Sequence, residues 1–158
     1  MPRKSAWRKS ISRHSAILRW ALVVLVSALI ITYSSQPESS LPPVIANGKY
    51  GIHFIEYALL SLLFVNALNM PWRHGWQIAA VAMMLAALFG VFDEMLQSLV
   101  SGRIAQVFDW TIDATGGVFG ALLGTWAIST TWARSMMHQR WKKQKERAVE
   151  NNDTFSTY

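Results

Sequence analysis

Polar side chains at helical spacing interrupt an apolar segment that begins near residue 49. Lys49, His53 and Tyr57 lie at positions i, i+4 and i+8. At 3.6 residues per turn, this spacing predicts that they lie along one side of a helix. Ionisable groups in apolar segments of membrane length are costly, so their presence indicates a function. An ammonium, an imidazole and a phenol on one face could bind an anion or exchange protons with a substrate.

Carboxylates accumulate where two further apolar segments meet across a short turn. Asp93 and Glu94 precede Gln97 near the end of one segment, and Asp109 and Asp113 lie near the start of the next. Asp93 and Asp113 lie roughly 5–7 Å inside the segment ends, at 1.5 Å per residue. For these two carboxylates, together with His53, we favour a functional polar pocket over satisfied packing. Each remaining polar residue, taken alone, is explained by a helix end that reaches water.

Three kinds of chemistry suit these residues, and their spacing does not choose among them. Carboxylates with the His53 imidazole could bind a divalent cation, so the cofactor stays open. His53 and a carboxylic acid could carry out acid–base catalysis. Lys49 and Arg103 could hold a phosphate or a carboxylate. The candidate catalytic residues are His53, Asp93, Glu94 and Asp109. The candidate substrate-binding residues are Lys49, Tyr57, Gln97, Arg103 and Asp113.

Known catalytic motifs do not narrow this choice. The sequence contains no nucleophile elbow, no H-E-x-x-H, no P-loop and no dinucleotide fingerprint. Whether the polar residues catalyse a reaction at all therefore stays open.

The composition excludes an ordinary soluble domain. Hydrophobic residues make up 52% of the chain and charged residues only 15%, and the hydrophobic residues occur in blocks. The net charge is +6, but the basic residues flank apolar segments, so membrane topology and anionic lipids explain them without nucleic acid. The chain has no cysteine, which excludes disulfides and thiolate metal sites. We predict an all-α, polytopic integral membrane protein.

Four apolar segments predict four transmembrane helices, at about residues 17–34, 50–68, 76–97 and 108–131. A basic arm, residues 1–16, precedes this membrane domain of residues 17–132. A basic and then polar tail, residues 133–158, follows it, and we expect a helical extension that fades into disorder. A cleaved signal peptide is the alternative for the first segment, but that segment is long for one and no A-x-A site follows it directly.

The distribution of Lys and Arg predicts the orientation in the membrane. All of them except Lys49 and Arg103 lie in the arm, at the start of the first segment, in the turn after the second segment, or in the tail. The positive-inside rule therefore predicts that both termini are cytoplasmic. In this topology the polar groups of the last three segments meet near the outer surface.

Glycines follow the carboxylates on the fourth segment. Gly116, Gly120 and Gly124 recur every four residues, a pattern that predicts close packing of another helix. The same face could serve a homo- or hetero-oligomer.

Taken together, these positions resemble the VanZ-like family of bacterial membrane proteins. The matching residues follow in chain order: Lys49, His53 and Tyr57, then Asp93, Glu94 and Gln97, then Gly102 and Arg103, then Asp109, then Gly116 or Gly117, and Gly120. The resemblance covers residues 49–124 and implies a small helical protein of the bacterial inner membrane. The named member of the family is associated with resistance to the glycopeptide teicoplanin. The family usually has Asn at the position of Asp113, so this chain carries an additional carboxylate there.

These inferences lead to one main hypothesis and two alternatives. In the main hypothesis, an outward-facing polar pocket binds or modifies the head group of an envelope molecule, such as a lipid or a lipid-linked cell-wall precursor. The partners of the protein would then be membrane lipids. In the first alternative, the chain is a non-enzymatic membrane subunit or scaffold that packs through its glycine face. In the second, it is a small ion-coupled carrier, although four spans without an inverted repeat count against a monomeric carrier.

Overall fold

A computed structural model of the chain describes residues 3–37, 48–68, 75–101 and 107–155. These residues form four helices and no strand, which confirms the all-α fold class. The helices are α1 (Arg3–Ser34), α2 (Lys49–Leu68), α3 (Gly75–Ser98) and α4 (Val107–Phe155). Most of the three expected connections, and with them Arg103, lie outside the described residues.

Three helices in the described ranges are long and apolar enough to cross a membrane. They are His14–Ser34, Lys49–Leu68 and Gly75–Ser98. Helix α4 is not among them, and it carries Asp109 and Asp113 in its first turns. The fourth expected span is therefore a proposal, which we develop below.

The distribution of side chains is the reverse of that in a soluble protein. Large apolar side chains are exposed along the first three helices, for example Ile17, Leu18, Val24, Ile55, Leu59, Met84, Leu88 and Met95. Asp93, Asp109 and Asp113, by contrast, are at most 1% exposed. Soluble proteins rarely bury carboxylates while exposing so many large apolar side chains. An apolar exterior around a polar interior is what a lipid environment favours.

Helices α2 and α4 pack closely and run parallel. Gly116 and Gly120 of α4 lie against the main-chain carbonyl groups of Phe54 and Ala58. Both helices advance by four residues between these two contacts, so they run in the same direction. Further along, a Cβ placed on Gly124 would lie 3.1 Å from the Cβ of Val65. The predicted glycine face is thus occupied by α2 of the same chain.

Polar contacts join α1 to two neighbouring helices. The Arg19 guanidinium, near the middle of α1, donates a hydrogen bond of 3.2 Å to the carbonyl oxygen of Asn66, in the last turn of α2. Such a cation is favourable at the carboxyl end of a helix. At the carboxyl end of α1, the Ser34 hydroxyl donates to Oδ1 of Asp93 on α3.

The chain divides into two compact units, residues 1–125 and 126–158. The helix of the second unit continues to Phe155, further than the fading extension expected from its sequence. Within that unit, Trp141 stacks on His138 with 6.3 Å between the ring centroids, and Nζ of Lys145 lies 4.1 Å from the Trp141 ring.

Candidate functional site

An ion pair joins the first turns of α2 and α4. Nζ of Lys49 lies 2.7 Å from Oδ2 of Asp109. The Asp109 side chain is 1% exposed, whereas the Lys49 side chain is 25% exposed. The ammonium therefore neutralises a buried carboxylate and still keeps access to the surroundings at this end of the unit.

One turn further along both helices, an imidazole meets a second carboxylate. Nδ1 of His53 lies 2.9 Å from Oδ1 of Asp113. Asp113 is fully buried, and His53 is nearly so. A carboxylate on one ring nitrogen orients the imidazole and leaves Nε2 for a second partner.

These two pairs form one continuous feature, which we call the polar ladder: Lys49, His53, Asp109 and Asp113. Each rung joins α2 to α4, and the step between rungs is four residues on both helices. Parallel helices produce this arrangement, and the contacts of Gly116 with Phe54 and of Gly120 with Ala58 repeat the same four-residue step. The ladder brings together four of the residues that the sequence predicted as site residues.

Asp93 forms hydrogen bonds with two residues that do not belong to the ladder. Its Oδ1 accepts a hydrogen bond from the Ser34 hydroxyl, and its Oδ2 accepts one of 2.8 Å from the Gln97 amide. Both carboxylate oxygens thus have donors supplied by the protein, and both donors are uncharged. Asp93 and Gln97, predicted as catalytic and substrate-binding residues, together link α1 to α3.

The stripe on α2 continues inward beyond the ladder. Tyr57 and Ser61 follow His53 at four-residue intervals, and both are fully buried. Within the described residues, neither hydroxyl has a hydrogen-bond partner. From Lys49 to Ser61 the stripe is about 18 Å long at 1.5 Å per residue.

Gly90 on α3 is the point at which several site residues converge. A Cβ at this position would lie 3.2 Å from Cδ1 of Trp110, 3.4 Å from Cε1 of Tyr57 and 3.5 Å from the Cβ of Asp113. The Tyr57 ring and the Asp113 side chain therefore both approach the backbone of Gly90. The Trp110 indole donates a hydrogen bond of 3.1 Å to the carbonyl oxygen of Ala87, which fixes α4 against α3.

The structure gives less detail for two predicted site residues, Glu94 and Arg103. Glu94 follows Asp93 on α3 and is half-buried. Arg103 lies outside the described residues. Among the residues that the structure describes, no group of three or more His, Asp or Glu is arranged to hold a metal ion, so the divalent-cation option gains no support.

Sequence reasoning missed Ser34, Ser61 and Gly90. Ser61 carried a signal, because it extends the i, i+4 spacing of the α2 stripe by one step. Ser34 ends an apolar segment, and no spacing rule indicates which helix its hydroxyl faces. Gly90 lies alone inside an apolar segment, where sequence cannot distinguish a packing glycine from a neutral one.

Comparison with known proteins identifies a family for the part of the chain that carries the polar ladder. A family model described as VanZ/LLP1 matches residues 4–128, more than half of the chain. The matched range includes α1, α2, α3 and every residue of the polar ladder. No curated protein and no solved structure matches the chain significantly.

Proposed function

The chain belongs to the VanZ/LLP1 family, and we propose that it is a membrane protein that binds an envelope head group in a polar site centred on His53 and Asp113. The head group belongs to a membrane lipid or to a lipid-linked cell-wall precursor. The association of the family's named member with glycopeptide resistance, noted above, motivates this choice of ligand.

One observation carries the proposal: three of the four side chains of the polar ladder, those of His53, Asp109 and Asp113, are buried at one end of the helical unit. Two charged or chargeable pairs lie in consecutive turns between α2 and α4. Burying ionisable groups is unfavourable, and apolar packing would hold two helices together at lower cost. Retention of four such groups in one place therefore supports a binding role.

The chemistry available at the ladder suits a polar head group. Asp113 holds His53 through Nδ1, so Nε2 can donate to or accept from a ligand. Lys49 is the most exposed member of the ladder, which supports entry of the ligand from that end. The described residues include no activated nucleophile near the ladder, so we propose binding rather than a covalent mechanism.

The proposal includes a topology. Helix α4 is the fourth membrane span, both termini are cytoplasmic, and the ladder faces outward from the bacterial inner membrane. The charge distribution supports this orientation, since Lys49 and Arg103 are the only basic residues near the end that would face outward. The short distance between α2 and α4 at the glycines supports α4 as part of the same membrane bundle.

Two observations disfavour the rival functions. The glycine face that a scaffold would use for partners contacts α2 within the chain. A carrier needs a polar route across the membrane, but the α2 stripe is followed by the buried apolar residues Phe64 and Val65. The polar stripe on α2 therefore ends at Ser61 and does not continue along the helix.

The experiment compares glycopeptide susceptibility in a sensitive strain that expresses wild type or His53→Gln. Glutamine keeps a donor toward Asp113 but lacks the imidazole. We expect the wild type to raise the teicoplanin concentration that inhibits growth, and His53→Gln to lose that effect at an equal membrane level.

Thr115→Val provides the matched control. Thr115 is exposed, lies two residues from Asp113, and bonds the Ile112 carbonyl of its own helix. This variant should behave as the wild type. A His53→Gln protein that inserts normally and still protects the cell would refute the proposed site.

A further inference from the structure

We infer that the polar site selects a primary ammonium group as the cationic part of its ligand, rather than a phosphate. This inference deepens the proposed function and rests on it. It concerns which chemical group of the head group the buried part of the site binds.

The basic groups of the ladder are already engaged. Lys49 lies at ion-pair distance from Asp109, and His53 contacts Asp113. An anionic ligand would have to compete with a buried carboxylate for each of them. Separating either pair would leave a buried charge without its partner, which is strongly unfavourable.

The buried side-chain atoms of the site that lack a hydrogen-bond partner within the described residues include two carboxylate oxygens and two hydroxyls. They are Oδ1 of Asp109, Oδ2 of Asp113 and the hydroxyls of Tyr57 and Ser61. Ionised carboxylates only accept hydrogen bonds, whereas hydroxyls can donate or accept them. A ligand rich in N–H donors can therefore satisfy all four oxygens, whereas a phosphate could accept from the two hydroxyls but would leave both carboxylate oxygens unsatisfied.

The charge balance favours a cation. The carboxylates at this end are Glu56, Asp93, Glu94, Asp109 and Asp113. The bases are Lys49, His53 and Arg103, of which Arg103 lies outside the described residues. Among the described residues, Asp93 accepts its hydrogen bonds from the uncharged donors Ser34 and Gln97. A bound cation would reduce this excess of negative charge.

A primary ammonium fits better than a quaternary one. It offers three N–H donors, whereas a trimethylammonium group offers none. Acceptor oxygens that remain unpaired on binding reduce affinity, so the site should discriminate against choline. Exposed aromatic rings at this end, Tyr50 and Phe108, would favour choline instead if cation–π contacts dominated.

The test uses the delipidated full-length protein in mild detergent, with phosphatidylethanolamine, phosphatidylcholine and phosphatidylglycerol of identical acyl chains at equal concentration. Native mass spectrometry measures which lipids stay bound. We expect the protein to retain about tenfold more phosphatidylethanolamine than either of the other lipids. One charge-assisted hydrogen bond changes the binding affinity by about this factor. Preference for phosphatidylglycerol or phosphatidylcholine would overturn the inference. Equal retention of the three lipids by a protein that also does not respond to free ethanolamine would overturn it as well.

Variants connect the preference to the site. Asp113→Asn should reduce it to near equality, and Thr115→Val should leave it unchanged. If Asp113→Asn fails to fold, Tyr57→Phe removes a single hydroxyl and should reduce the preference severalfold. A Tyr57→Phe protein and an Asp113→Asn protein that both retain the full preference would refute the assignment to these residues.

A second measurement distinguishes a lipid from a soluble amine as the source of the ammonium. Free ethanolamine that raises the thermal stability of the wild type but not of Asp113→Asn indicates a soluble amine. Lipid preference without this effect indicates a lipid head group. A protein that protects the cell through His53 but shows neither effect refutes the ammonium assignment alone and leaves the proposed function standing.

Discussion

Individual residues at the polar end of the unit have different tasks, although their chemical types are alike. Among the residues that the structure describes, Asp113 has one carboxylate oxygen without a hydrogen-bond partner, and its other oxygen orients His53, as a ligand-binding group requires. Asp93 uses both oxygens to hold Ser34 and Gln97. Asp93 therefore fits the role of a structural link between α1 and α3 better than that of a reacting group.

Asp93→Leu tests this structural role. The substitution keeps the approximate size but leaves the Gln97 amide buried without this acceptor, while the Ser34 hydroxyl retains the Ile31 carbonyl oxygen of its own helix. We expect a loss of about 1–3 kcal/mol in the free energy of unfolding, because buried polar groups without partners cost that much. The measurement is the midpoint of thermal aggregation of the purified protein in detergent.

Phe92→Leu is the control for this variant, since Phe92 is exposed on the same helix. It should unfold close to the wild-type temperature. Equal stability of Asp93→Leu and Phe92→Leu would show that the Asp93 contacts do not hold the helices together.

At the scale of helices, the parallel register of α2 and α4 creates the site. The contacts of Gly116 with Phe54 and of Gly120 with Ala58 allow the two backbones to approach closely. That approach sets the distance across which Lys49 reaches Asp109 and His53 reaches Asp113. The glycines therefore act on the site through helix separation, although none of them carries a side chain.

Gly120→Ala should disrupt this packing. Its new methyl group would collide with the carbonyl group of Ala58, which belongs to the backbone and cannot rotate away. We expect a loss of about 1–3 kcal/mol, in the range of overpacked interiors. Thermal stability and membrane level would both report it.

Gly51→Ala offers the matched comparison. A Cβ on Gly51 would have no heavy atom within 4 Å beyond its immediate surroundings, and Gly51 lies within α2. The same substitution should here stabilise by about 0.5–1 kcal/mol, because alanine restricts the unfolded chain more than glycine does. If both variants lost stability equally, helix approach at Gly120 would not be the cause.

At the scale of the whole molecule, the number of spans determines where the polar ladder lies. Three helices satisfy the length and apolarity expected of a membrane span, and α4 carries two carboxylates in its first turns. Burial of those carboxylates against Lys49 and His53 would lower the cost of inserting α4, as the proposed fourth span requires.

Reporter fusions test this topology. A reporter inserted at Ser40 should be active outside the cytoplasm, and one fused after Tyr158 should be active inside, because four spans return the chain to its starting side. A tail reporter that is active outside would contradict the fourth span and would move the ladder away from the proposed outer surface.

The sequence by itself determined the fold class and the family. Long apolar segments in which every backbone group must be bonded internally lead to helices in a membrane, and the order of Lys49, His53, Asp93 and Asp109 resembled the VanZ-like family. The stripe on α2 followed from helical periodicity alone. These features are local in the chain, and local spacing is what a sequence reports directly.

Only the tertiary structure decided which polar groups are partners. The spacing predicted a similar depth and a similar role for Asp93 and Asp113. In the structure, the parallel packing of α2 on α4 pairs Asp113 with His53, whereas Asp93 accepts a hydrogen bond from Ser34 of α1. It also placed the glycine face inside the chain. Contacts between helices depend on how each helix is rotated and shifted against its neighbours, and side-chain packing across the whole unit sets both.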